Sequence, residues 1–148
     1  MNPRDPNYLE RVRASFGRQR VMATIGAELI TVEPGFVEIA LPFRADLTQQ
    51  HGFIHAGVVA TILDSACGYA AFSLMPADMA VLTVEYKINL LRPAQGERLI
   101  ARAHVTKSGK TLTVCEGDAI ALDGGNEAVV ASMMGTIIAV PERDGLKQ

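Results

Sequence analysis

Residues Gln49-Gln50-His51-Gly52-Phe53-Ile54-His55-Ala56-Gly57-Val58-Val59-Ala60-Thr61-Ile62-Leu63-Asp64 run from a polar loop into an apolar segment that carries one carboxylate about two turns inside it. Asp64 is the only charge between Ala56 and Met75. Burying a lone carboxylate is costly unless it is partnered or does chemistry. The segment has the nominal length of a membrane helix. Asp64 lies near its centre, however, Gly57, Ser65, Gly68 and Ser73 dilute its apolarity, and no second such segment exists. It therefore reads as a helix Ala56–Met75 wrapped by another layer of a soluble core. Gly57, Ala60, Asp64, Cys67 or Gly68, and Ala71 recur at spacings of three and four, a stripe of small residues that admits a close neighbour.

Outward from this helix the chain is strand-like. Leu82 to Leu90 alternates apolar with polar, the period of a sheet with one buried face, and Arg92-Pro93-Ala94-Gln95-Gly96 breaks the run. Arg98–Lys107 and Lys110–Leu122 are joined by Ser108-Gly109, and Asp123-Gly124-Gly125-Asn126 turns into a last apolar run, Ala128–Val140, giving an antiparallel meander. Before the helix, Ala27–Val32 and Phe36–Leu41 flank Glu33-Pro34-Gly35, a hairpin. Tyr8, Leu9, Val12 and Phe16 mark a short amphipathic opening helix. The predicted class is α+β, an antiparallel sheet curled around one long central helix.

Composition agrees. The 148 residues suit one domain, 1–148, with its core at about 20–140. With 49% hydrophobic and 20% charged residues the chain is globular, and a net charge of −2 gives no general attraction to nucleic acid. Cys67 and Cys115 are too few for a disulfide framework, show no zinc-ligand spacing, and read as reduced and structural. The charged opening residues Arg4, Asp5, Glu10, Arg11 and Arg13 carry no secretory signal, so a cytoplasmic protein is expected.

The layout, with His55-Ala56-Gly57 leading into the helix and Asp64 inside it, resembles the hotdog fold of the acyl-CoA thioesterases, specifically the phenylacetate-degradation (PaaI-like) group. The resemblance covers about residues 20 to 140. Its most specific part is His-Gly-Gly followed by apolar or small residues, Leu and Asp, here His55-Ala56-Gly57-Val58-Val59-Ala60-Thr61-Ile62-Leu63-Asp64. Leu82-Thr83-Val84-Glu85 with Leu91-Arg92-Pro93-Ala94, and the hairpin Lys107-Ser108-Gly109-Lys110-Thr111, look like later family segments. Two departures stand out. The family usually has Gly where this chain has Ala56, and Asn where it has Gln49. The first is tolerable because the family uses a backbone N–H there, which Ala also supplies.

Thioester hydrolysis needs a donor for the developing oxyanion and a base or nucleophile, both in reach of one carbonyl. The Ala56 amide at the positive end of the helix suits the first role. Asp64 suits the second, activating water or attacking to form a mixed anhydride. Eight residues of helix span about 12 Å, too far for both groups to serve one carbonyl. Two such helices packed antiparallel across a two-fold axis would bring the start of one beside the middle of the other. The resemblance implies this arrangement, with Gln49, His55 and Ala56 of one subunit meeting Asp64 and Thr83 of the other in a dimer or tetramer. Gly57 joins the substrate-binding residues, and Arg92, Lys107 and Lys110 are candidates for the coenzyme A phosphates. The reaction needs no metal or redox cofactor, coenzyme A being part of the substrate, and no nucleic acid or membrane partner.

Each residue also has a structural role to weigh. Asp64 could bond Thr61, His55 could only cap the helix, Thr83 lies on the polar side of its strand, and His51 and His104 read as loop and strand residues. The alternatives on the same fold are an enoyl-CoA hydratase, for which Asp46 and His51 have the spacing but lack the intervening Asn-Pro, and a non-catalytic acyl-CoA binder.

Overall fold

The computed structural model describes residues 1–148. Two short helices, α1 (Tyr8–Arg18) and α2 (Arg20–Ile25), precede a hairpin of β1 (Glu28–Glu33) and β2 (Phe36–Pro42). The central helix α3 (Ala56–Phe72) follows, then β3 (Met79–Leu90), β4 (Arg98–Ser108), β5 (Leu112–Asp123) and β6 (Asn126–Pro141). All ladders are antiparallel, in the spatial order β1-β2-β4-β5-β6-β3. No helix is long and apolar enough to cross a membrane.

The hairpin and the helix end are tied together. Pro34 fixes one turn dihedral and Gly35 takes φ 80°, a left-handed value that favours glycine. The Gly35 N–H donates to Ser73 Oγ at 2.8 Å, and that buried hydroxyl donates to Ala70 O at 2.7 Å. The helix stops at Phe72, three residues before the expected Met75, where the Leu74 and Met75 N–H groups tighten onto Ala71 O and Phe72 O and Pro76 has no N–H to continue the helix.

The sheet accepts α3 because its floor is small. Ala101, Ala119 and Ala131 are cross-strand neighbours on β4, β5 and β6, each fully buried. A Cβ added at Gly117 would meet the Ala103 Cβ at 3.2 Å and Cys67 Sγ at 3.3 Å, so the helix lies directly on the strands. Ile62, Leu63 and Phe72 fill the remainder, fully buried, each contributing about 1.5–3 kcal/mol. Both cysteines are free and buried, as expected of structural thiols, and burial pushes Cys115 up to about 12. At the N-terminus, the Arg11 guanidinium lies over the Phe72 ring at 4.4 Å and donates to Asp5 and to the carbonyls of Met75 and Met79.

Two expectations need correction. β4, β5 and β6 form the expected meander, while β3 lies on the far side of β6 as a free edge of the sheet. The apolar face expected to be buried on Leu82–Leu90 is accordingly open, with Leu82, Val84, Tyr86 and Leu90 exposed. The small-residue stripe also divides: Cys67 and Ala71 are buried against the sheet, whereas Gly57, Ala60, Asp64 and Gly68 remain partly or fully uncovered.

Candidate active site

The loop before α3 is built to present its first amide. His55 is the N-cap, and its Nδ1 accepts the Gly57 N–H at 2.9 Å, which places the ring proton on Nε2. A side chain at position 57 would crowd that ring, its Cβ 3.1 Å from Nδ1, so glycine follows from the cap. Ala56, the first helical residue, has no intrahelical acceptor for its N–H and is exposed. No non-glycine residue has positive φ, so Ala56 needs no glycine-like backbone and the departure from the family pattern is harmless.

Gln49 lines the same slot as Ala56. The slot is apolar, of about 490 Å³, and includes Phe53, Val59, Leu90 and Arg92. The Gln49 side-chain carbonyl accepts the His51 N–H within the loop turn, which leaves its side-chain N–H groups to face a ligand.

Asp64 lies two turns further along, half-buried. Thr83 Oγ1 donates to its Oδ1 at 2.7 Å. Burial raises the Asp64 carboxyl above its ordinary value of 3.8, and the Thr83 hydroxyl offsets part of that rise. Thr61, the structural partner considered for Asp64, instead donates to Gly57 O at 2.7 Å. Thr83 reaches Asp64 because the ladder shifts register between Thr83 and Glu85. The extra residue turns Thr83 to the helix side while Glu85, Lys87 and Asn89 face outward, which corrects its expected place on the polar side.

The nine candidates thus fall into two groups. Gln49, His55, Ala56, Gly57 and Arg92 gather at the start of α3, near the end of β3. Asp64 and Thr83 sit at the other end of that strand. Lys107 and Lys110, both exposed, belong to the β4–β5 hairpin on the Thr83 side: Leu112 pairs with Ile138, which pairs with Leu82. A small crevice beside Asp64 includes Gln19 and Ser65, which the sequence did not single out.

The remaining residues lie elsewhere. Asp46 pairs with Arg44 at 2.6 Å rather than with His51, and that guanidinium holds its carboxyl below the usual range. His51 is an exposed loop residue, and His104 faces Glu116 at 3.7 Å on the outer side of the sheet. A broad concavity of about 830 Å³ on that outer side holds charged surface and none of the nine candidate residues.

Comparison with known proteins shows the family. The Thioesterase superfamily model matches residues 51–128, more than half of the chain. A thioesterase family protein from Silicibacter pomeroyi superposes with a TM-score of 0.90 at 56% identity, over 91% of this chain and 99% of that one. The PaaI protein from the phenylacetic acid degradation operon of E. coli has the same fold, with a TM-score of 0.80 at 21% identity over 90% of this chain and 94% of its own. Acyl-coenzyme A thioesterase 13 of Homo sapiens is 31% identical over 101 residues, 68% of this chain and 70% of that protein. A Halobacterium salinarum relative, 33% identical over 101 residues, is matched over 66% of its length and 65% of this chain. The chain belongs to the thioesterase superfamily, with the hotdog fold of its PaaI-like members, and is a thioester hydrolase.

Proposed function

We propose that the protein is an acyl-CoA thioesterase whose site is shared between two copies of the chain, releasing a free carboxylic acid and coenzyme A. The observation that carries this reading is the half-buried Asp64, held by Thr83 on the free edge strand of the sheet. A thioester carbonyl set against the N–H of the partner's Ala56 gains a donor for its oxyanion. Asp64 takes a proton from water as the water oxygen bonds to the carbonyl carbon, or attacks that carbon itself, expelling the coenzyme A thiolate to form a mixed anhydride that water then hydrolyses to the free acid and the Asp64 carboxylate. In the water route, collapse breaks the carbon–sulfur bond and the leaving thiolate takes the proton from Asp64. Water is the acyl acceptor, and no metal or redox cofactor enters.

Two half-sites at opposite ends of one edge strand favour a dimer. An exposed edge of unpaired N–H and C=O groups is a template for pairing. Antiparallel self-pairing of β3 about a two-fold axis near Tyr86 or Lys87 lays Thr83 beside the partner's Leu90, whose slot contains the partner's Ala56 and Gln49. The uncovered stripe Gly57, Ala60, Asp64 and Gly68 gives the second helix room. The same step brings the partner's Arg92 toward the Lys107–Lys110 hairpin, a basic rim suited to the coenzyme A phosphates. A tetramer would be a pair of such dimers, and the cytoplasm is the compartment we assign. The names of relatives such as acyl-coenzyme A thioesterase 13 support the substrate class.

The test is free-thiol release from short, medium, long and aromatic acyl-CoAs. We expect release by the unmodified protein and a loss of about 10²–10⁴-fold in folded, dimeric Asp64→Asn. Saturable acyl-CoA binding without release would instead indicate a ligand-binding module.

A further inference from the structure

Beside Asp64 and Thr83 lies a crevice of about 90 Å³ whose wall also includes Gln19, Ser65 and Tyr69. Ligand pockets for drug-sized groups start near 300 Å³, whereas a water occupies about 30 Å³ and seeks two to four polar partners. Only two of the eight lining residues are hydrophobic. In size and polarity the crevice fits a few waters rather than an acyl chain.

Gln19 comes from the junction of α1 and α2, outside residues 51–128. Its backbone is fixed on both sides: its N–H donates to Phe16 O, and its carbonyl accepts the Met22 N–H, both at 3.0 Å. Its side-chain Oε1 accepts the Ser65 hydroxyl at 3.1 Å. With one lone pair of that oxygen engaged, Gln19 still has both side-chain N–H donors to offer the crevice. Asp64 has the complementary need: its Oδ1 accepts from Thr83, leaving Oδ2 to receive a proton.

We propose that Gln19 is a further catalytic residue, its side-chain N–H donating to the water that Asp64 deprotonates and fixing that oxygen for attack. The inference rests on the acyl-CoA thioesterase reading and deepens it. The water proton passes to Asp64 Oδ2 as the oxygen–carbon bond forms, and Gln19 neither gains nor loses a proton. The N-terminal helices, beyond the matched family segment, then have a role in the chemistry.

Thiol release by the full chain tests this, using its best substrate from the acyl-CoA panel. Gln19→Met keeps length and removes the donors: kcat should fall about tenfold or more with KM within twofold. In the Asp64→Asn background the same change should cost nothing further, because no base-activated water is left to orient. Ser65→Ala, which frees Gln19 without removing it, should lower kcat a few-fold and covers the case in which Gln19→Met does not fold. Unchanged kcat in Gln19→Met, or in Ser65→Ala if Gln19→Met does not fold, would overturn the role of Gln19 while leaving the thioesterase reading intact. Absence of release from the unmodified chain with every substrate would remove both.

Discussion

Asp64 combines two opposed influences, and under the proposed mechanism their balance sets where in pH the protein works. Burial favours the neutral carboxyl, and the hydrogen bond from Thr83 favours the charged one. In the proposed mechanism the charged form is the base, so activity should rise as pH rises through the elevated value, placing the acid limb of kcat/KM above 3.8. Thr83→Val removes the only influence that lowers the value. Its acid limb should move to higher pH, and its kcat should fall about tenfold as the carboxylate loses its fixed orientation. A pH–rate profile of the folded variant checks this; an acid limb that stays in place would mean Thr83 does not act on Asp64.

Among the elements, α3 was the most legible from sequence and β3 the least. The start of α3 at Ala56 followed from one turn of chemistry: a histidine that caps, a glycine that makes room for it, and an apolar run behind. His55→Ala would remove that cap and cost about 1 kcal/mol, the value of an N-cap. That corresponds to a fall of roughly 2–4 °C in Tm. Thermal unfolding monitored by circular dichroism should show this fall, and an unchanged Tm would mean the cap contributes nothing. For β3 the alternation of Leu82 to Leu90 marked a strand but hid two things. Its neighbour is β6, a long-range pairing with no local signature, and the irregularity after Thr83 reverses which side of the sheet that residue faces. Gln19 was missed for a related reason. It sits between two short helices, and its nearness to Ser65 arises only when α1 and α2 pack back on α3.

At the scale of the whole molecule, one chain holds both halves of the proposed thioester site but keeps them apart. The slot with Ala56 and Gln49 and the carboxylate with Thr83 are separated by two turns of helix and by most of an edge strand. In the proposed dimer a second copy, paired edge to edge, completes two sites at once. This is the central claim, and subunit complementation tests it most directly. Asp64→Asn disables one half. Ala56→Pro disables the other by deleting only the N–H, since proline is well accepted at the first helical position and His55, at φ −58° and ψ 136°, already has the backbone that precedes proline. Each variant alone should be nearly inactive. Refolded together in equal amounts, half the dimers should be mixed and each should carry one intact site, restoring about a quarter of the unmodified thiol release. A mixture as inactive as its two components would show that each site is built within a single chain.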